Sequence, residues 1–101
     1  MFKELDNSNF KDEISSGLKL VDFYTTWCKF CQNQEIILKE LSDNGFWIGK
    51  LDCDKNPNLA KKYGVTGLPT MILFKNGKAV AQIAGYHTKG QLLDKLTPHL
   101  S

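Results

Sequence analysis

The segment Leu18-Lys19-Leu20-Val21-Asp22-Phe23-Tyr24 constrains the fold more than any other stretch of the 101-residue chain, because it is nearly continuous in apolar and aromatic side chains. A strand with one solvated face alternates apolar and polar residues, whereas one that does not alternate is covered on both faces. The segment therefore predicts a sheet interior flanked by helices, an α/β architecture. Asp22 is its one discordant residue, a carboxyl at a place where burial would raise its pKa.

The flanking stretches agree. Phe2 to Leu5 reads as a short first strand, and Asn7 or Ser8 can cap a helix that carries Phe10 and Ile14 and ends at Gly17. From Cys28 to Asp43 the pattern becomes helical, with Ile36, Ile37, Leu38 and Leu41 on the repeat and Asn44-Gly45 as the stop. Phe46 to Asp52 reads as another strand, after which Asn56 caps and Pro57 opens a short helix through Leu59, Ala60 and Tyr63, closed by Gly64. Met71 to Phe74 and Ala79 to Ile83 flank Asn76-Gly77, a pair that accepts the positive φ angles of a tight hairpin turn. Thr88 with Gln91 is a capping-box pattern ahead of a last buried stripe, Leu92, Leu93, Leu96 and Leu100. The order βαβαβαββα predicts one domain over residues 1–101: a central mixed five-stranded sheet, its early strands parallel and its last two antiparallel, flanked by four helices.

Composition removes several functions. A chain with 42% hydrophobic residues can bury a core without disulfide or metal staples. All thirteen basic side chains are Lys, scattered among eleven acidic ones for a net charge of +2, which disfavours nucleic acid, where Arg and clustered charge dominate. The longest apolar run is too short to span a bilayer, and Phe2-Lys3-Glu4-Leu5-Asp6 is no signal-peptide core, so no membrane association and a cytoplasmic location are expected. Three cysteines are too few for a secreted disulfide framework and fit a reducing compartment.

The chemistry centres on Cys28-Lys29-Phe30-Cys31, where the buried strand passes into a helix. Unpaired N–H groups and the positive end of the helix dipole favour a thiolate at such a point, which makes Cys28 the nucleophile. Cys31, one turn on and pointing inward, is shielded from substrate but near enough to close a disulfide, which makes it the resolving thiol. Lys29 adds positive charge and Phe30 leaves a backbone N–H free, so the couple is expected to be somewhat less reducing than one with a Gly-Pro spacer. The competing reading of a Cys-x-x-Cys pair is half of a zinc site, but Cys53, His87 and His99 lie in unrelated segments and supply no second pair at ligand spacing. Cys53 alternates with Asp52 and Asp54 and reads as a small buried hydrophobe.

Val21-Asp22-Phe23-Tyr24 leads into Trp27-Cys28-Lys29-Phe30-Cys31, and Tyr63-Gly64-Val65-Thr66-Gly67-Leu68-Pro69-Thr70 leads into Met71-Ile72-Leu73-Phe74-Lys75-Asn76-Gly77. In these stretches and over nearly its whole length the chain resembles the thioredoxin family. The resemblance implies the thioredoxin fold and reduction of protein disulfides through a redox-active Cys28–Cys31 pair with no bound cofactor or metal. It further implies a cis Leu68–Pro69 bond in a loop that pairs with the substrate backbone, and a shallow apolar groove framed by Trp27, Lys29, Phe30, Gly67, Leu68 and Gly85 around an exposed Cys28 sulfur. Asp22 matches the family's buried Asp beneath the disulfide, and with Lys50, matching the family's Lys, it would assist proton transfer to and from Cys31. Disulfide-containing proteins are the implied substrates of a monomeric enzyme, recharged by a flavin-dependent thioredoxin reductase that draws on NADPH. Lys29-Phe30 in place of Gly-Pro, Ile36 where a helix-kinking Pro is common, and Tyr24 and Thr26 where Trp and Glu are frequent depart from the pattern. An aromatic residue before the second cysteine is shared with glutaredoxins, but Leu68 before Pro69 and the lack of a following Gly-Gly are not. An oxidase or isomerase, or a non-catalytic docking module on the same fold, are the alternatives these departures leave open.

Overall fold

A computed structural model describes residues 1–100. Its elements in chain order are β1 (Phe2–Leu5), α1 (Phe10–Ile14), β2 (Leu18–Tyr24), α2 (Lys29–Asp43), β3 (Ile48–Asp52), α3 (Pro57–Lys62), β4 (Thr70–Lys75), β5 (Lys78–Ala84) and α4 (Lys89–Leu96), followed by a 3₁₀ turn at Thr97–His99. The strands lie in the order β1-β3-β2-β4-β5, so the non-alternating segment is the central strand and is covered on both faces. β3 runs parallel to β1 and β2, while β4 is antiparallel to β2 and to β5. This is the mixed five-stranded sheet with four helices that the resemblance implied.

Alternation along β2 divides the core in two. Val21 and Phe23 face α1 and α3, where Phe10, Ile14, Leu51, Leu59, Ile72 and Phe74 close the packing. Phe10, Phe23, Tyr63 and Phe74 meet there edge-on or tilted with centroids 5.3 to 6.4 Å apart, a geometry that suits the ring quadrupoles. Leu20 faces the other way, against Leu38 and Leu41 of α2 and Leu92 and Leu96 of α4. Gly49 in β3, opposite Val21, leaves room on the first of these faces: a Cβ there would stand 2.8 Å from Leu5 Cδ1 and 2.9 Å from Trp47 Cζ3.

Local chemistry sets the boundaries. Asn76 and Gly77 have φ of 51° and 86°, the two left-handed residues of a primed hairpin turn. Thr88 Oγ1 accepts from Gln91 N at 3.2 Å while Thr88 N donates to Gln91 Oε1 at 3.0 Å, completing the capping box of α4.

Elsewhere the structure departs from the sequence reading. Neither Asn7 nor Ser8 caps α1: the Asp6 carboxylate accepts from Ser8 N at 2.8 Å and Asn9 N at 3.1 Å, and Asn9 stands at the cap. Asn56 precedes α3 as expected, but its side chain is taken up by Asp52 O and Asn7 N, both at 3.0 Å. β3 begins at Ile48 rather than Phe46, because Phe46 N still donates to Leu41 O at 3.0 Å and finishes the end of α2. Leu100 lies beyond Pro98, which helix α4 cannot pass, and is 45% exposed. The buried stripe of α2 is Cys31, Gln34, Leu38 and Leu41, whereas Ile36 is 62% exposed.

Candidate active site

Strand register brings distant segments to one end of the sheet. Phe23 of β2 lies opposite Thr70 of β4, Thr70 lies opposite Ala84 of β5, and Tyr24 lies opposite Asp52 of β3. Whatever follows β2, β3 and β5, or precedes β4, therefore meets there: Trp27 to Cys31, Cys53-Asp54, Gly85, and Gly67 to Pro69. All the residues proposed from sequence for attack and substrate contact collect at this end.

Cys28 is the N-cap of α2, with an extended backbone at φ −83° and ψ 114°. Its Sγ accepts a hydrogen bond from Cys31 N at 3.2 Å, the contact an N-cap oxygen ordinarily makes with the third helical residue. No acidic residue lies in the first turn of α2 to offset the positive end of its dipole. The Cys28 sulfur is less open than expected, since the residue is only 9% exposed against 3% for Cys31. Its surroundings are apolar and solvent-facing: Trp27 is 71% exposed and Phe30 65%. The indole is fixed by a hydrogen bond from Nε1 to Asp54 Oδ2 at 2.8 Å. Lys29 and Gly67 are exposed beside them, and Leu68 is half-buried. The Leu68–Pro69 peptide is cis. Pro69 O accepts from Gly85 N at 2.7 Å, and Thr70 Oγ1 donates to Gly67 O at 2.7 Å, which ties this loop to the ends of β4 and β5.

Beneath Cys31 lies a charged cluster. Asp22 alternates onto the α2 face with Leu20 and is 1% exposed, and neither of its carboxylate oxygens has a hydrogen-bond partner. Burial pushes its pKa up to about 7; Lys50 pulls against that shift, and Glu35 and Glu4 add to it. Lys50 sits directly opposite on β3, but its ammonium pairs with Glu35 of α2 and lies 4.5 Å from the centre of the Tyr24 ring. The Tyr24 hydroxyl donates to the Glu4 carboxylate at 2.8 and 3.0 Å, and burial together with that carboxylate holds it protonated. Loss of solvent, followed by the contact with Cys28, raises the pKa of the Cys31 thiol well above its ordinary value, so it needs a proton acceptor to react. A pocket of about 260 Å³ lined by Tyr24, Cys31, Gln32, Glu35 and Lys50 opens this cluster to solvent.

Three participants escaped the sequence reading. Gln34 is fully buried and grips the loop after Gly85, donating to His87 O at 3.0 Å and accepting from His87 N at 2.8 Å. Its place three residues after Cys31 and four before Leu38 was the available signal. Glu35, four residues after Cys31, is the second. Asp54, the anchor of Trp27, carried no signal, because only tertiary structure joins the two. Cys53 is half-buried on the α1 and α3 side, and its thiol is pushed up to about 11 by burial and by Asp52. Among the described residues no group of three or more His, Cys, Asp and Glu side chains is placed to hold a metal ion, and no helix is long and apolar enough to cross a membrane.

Comparison with known proteins agrees with this geometry. The family model described as Thioredoxin matches residues 1–98. A protein named thioredoxin from Staphylococcus haemolyticus (strain JCSC1435) is 42% identical over 96% of each chain. Proteins of the same name from Staphylococcus saprophyticus and Staphylococcus aureus (strain Mu50) are 41% and 38% identical over the same share. With a helix-capping Cys-x-x-Cys pair at the end of a mixed five-stranded sheet and matches of this extent, the chain belongs to the thioredoxin family and is a thiol–disulfide oxidoreductase.

Proposed function

We propose that Cys28 attacks disulfides held in extended protein segments and that Cys31 resolves the product, with Asp22 and Lys50 serving the second step. The Cys28 thiolate adds to one substrate sulfur, the substrate S–S bond breaks, and the other sulfur leaves as a thiolate that takes a proton from solvent. Cys31 then gives its proton to Asp22 and attacks the Cys28 sulfur; the mixed disulfide breaks, the second substrate thiolate leaves, and a Cys28–Cys31 disulfide remains. Two electrons pass to the substrate in each cycle. Trp27, Lys29, Phe30, Gly67, Leu68, Pro69 and Gly85 form the surface against which the segment lies. A flavin-dependent thioredoxin reductase drawing on NADPH returns the two electrons, and the enzyme works as a monomeric single domain in the cytoplasm.

The observation that carries this reading is the position of Cys28 Sγ as the cap of α2, with the N–H of Cys31 donated to it at 3.2 Å. Charge on that sulfur is stabilised by a hydrogen bond and a helix end that Cys31 does not share. Reduction of insulin disulfides tests it. Cys28→Ser abolishes turnover, whereas Cys31→Ser stops after one attack and retains substrate as a mixed disulfide visible by mass spectrometry. Equal turnover in the wild type and Cys28→Ser refutes the assignment.

A further inference from the structure

A buried carboxyl ordinarily takes the nearest cation as its partner. Lys50 faces Asp22 across the β2–β3 ladder, yet its ammonium is paired with Glu35. Both side chains are largely shielded, at 17% and 29% exposure, and Lys39 lies 3.7 Å from the other Glu35 oxygen. The remaining groups that face Asp22 are Cys31 on α2, Tyr24 on β2 and Glu4 on β1, while its β4 neighbour is the uncharged Met71. One acidic side chain on α2 therefore decides where the Lys50 ammonium points.

We propose that Glu35 is a positioning residue for the resolving step: by holding the Lys50 ammonium on the α2 side it denies Asp22 a counter-ion and keeps that carboxylate basic enough to accept the Cys31 proton. This rests on the reading of Cys31 as the resolving thiol. The opposing influences of Lys50 and Glu35 on Asp22 have the required signs. Removing the Glu35 charge releases Lys50 towards Asp22 and withdraws a neighbouring negative charge. Both effects favour the ionised carboxylate and make it a weaker base.

The test is stopped-flow reaction of the reduced protein with an aromatic disulfide whose released thiolate is coloured. Cys28 attack gives a first phase that depends on reagent concentration; displacement of the second coloured thiolate by Cys31 gives a concentration-independent second phase. In Glu35→Gln the pH midpoint of the second phase moves down by about one unit. The variant is then faster than wild type on the acid side and slower on the alkaline plateau, and the Asp22 carboxyl titration followed by carbon NMR moves the same way. Glu35→Asp, which keeps the charge, retains the wild-type midpoint. A variant that is slower at every pH, or a midpoint that does not move, overturns the proposal. If the wild type shows no second phase, the assignment of Cys31 itself falls, and the role of Glu35 falls with it.

Discussion

Replacing Asp22 by Asn removes a titrating group from the core while nearly preserving its shape. The folded protein holds the Asp22 proton until about pH 7, whereas the unfolded chain releases it near the ordinary value of 3.8. Between those two values the unfolded state binds fewer protons, so stability falls as pH rises through the window and levels off above it. A shift of about three units corresponds to roughly 4 kcal/mol at 1.36 kcal/mol per unit. At 1% exposure the group is not screened by solvent, and the loss is large beside a typical total stability of about 5–15 kcal/mol.

Urea unfolding of wild type and Asp22→Asn in reductant, at about pH 4.5 and about pH 8, isolates this effect, since other groups titrate alike in both proteins. Any constant cost of the buried amide cancels in the comparison. The advantage of the variant grows by about 3 kcal/mol from the lower pH to the higher. An advantage that is the same at both values refutes the claim that Asp22 stays protonated in the fold until near neutrality. A buried carboxyl with neither oxygen partnered is a standing cost to the fold, and its retention under Cys31 makes sense if its basicity is used in the reaction.

Two further outcomes follow from the same geometry. Gln34→Ala leaves the N–H and C=O of His87 without their partners, which lowers stability by about 2–4 kcal/mol and speeds amide exchange at His87, both measurable on the reduced protein. Cys53, with its thiol pushed up to about 11, is alkylated by iodoacetamide at neutral pH far more slowly than Cys28, as peptide mass mapping will show; labelling at comparable rates contradicts its placement.

What the sequence made legible was what local rules decide. The unbroken apolar run of β2 declares its central place, Asn76-Gly77 declares the turn, and Thr88 with Gln91 declares the start of α4. Cys28 at the junction of strand and helix, and Asp22 inside an apolar strand, follow from the same patterns. The rest is settled by competition at a distance. Three consecutive apolar residues, Ile36-Ile37-Leu38, do not reveal which face of α2 turns inward. Gln34 takes the inward position because its amide finds backbone partners 53 residues away, and Ile36 is left outside. Asp6 satisfies the backbone ahead of α1 before Asn7 or Ser8 can. Strand adjacency places Lys50 beside Asp22, and only the tertiary position of α2 gives it to Glu35 instead.

The different settings of the two sulfurs follow from one turn of helix. An N-cap side chain accepts from the N–H of the second or third helical residue. In α2 the donor is the third, and that residue is Cys31 itself. The backbone N–H donated to the Cys28 sulfur thus belongs to the residue whose own side chain heads the buried stripe Cys31, Gln34, Leu38 and Leu41, on the face that covers Asp22. One residue more or fewer between the cysteines would rotate the second sulfur by about 100° away from that stripe. The two-residue spacing therefore does two things together: it sets one thiol at the helix end and sinks the other towards the buried Asp22 carboxyl.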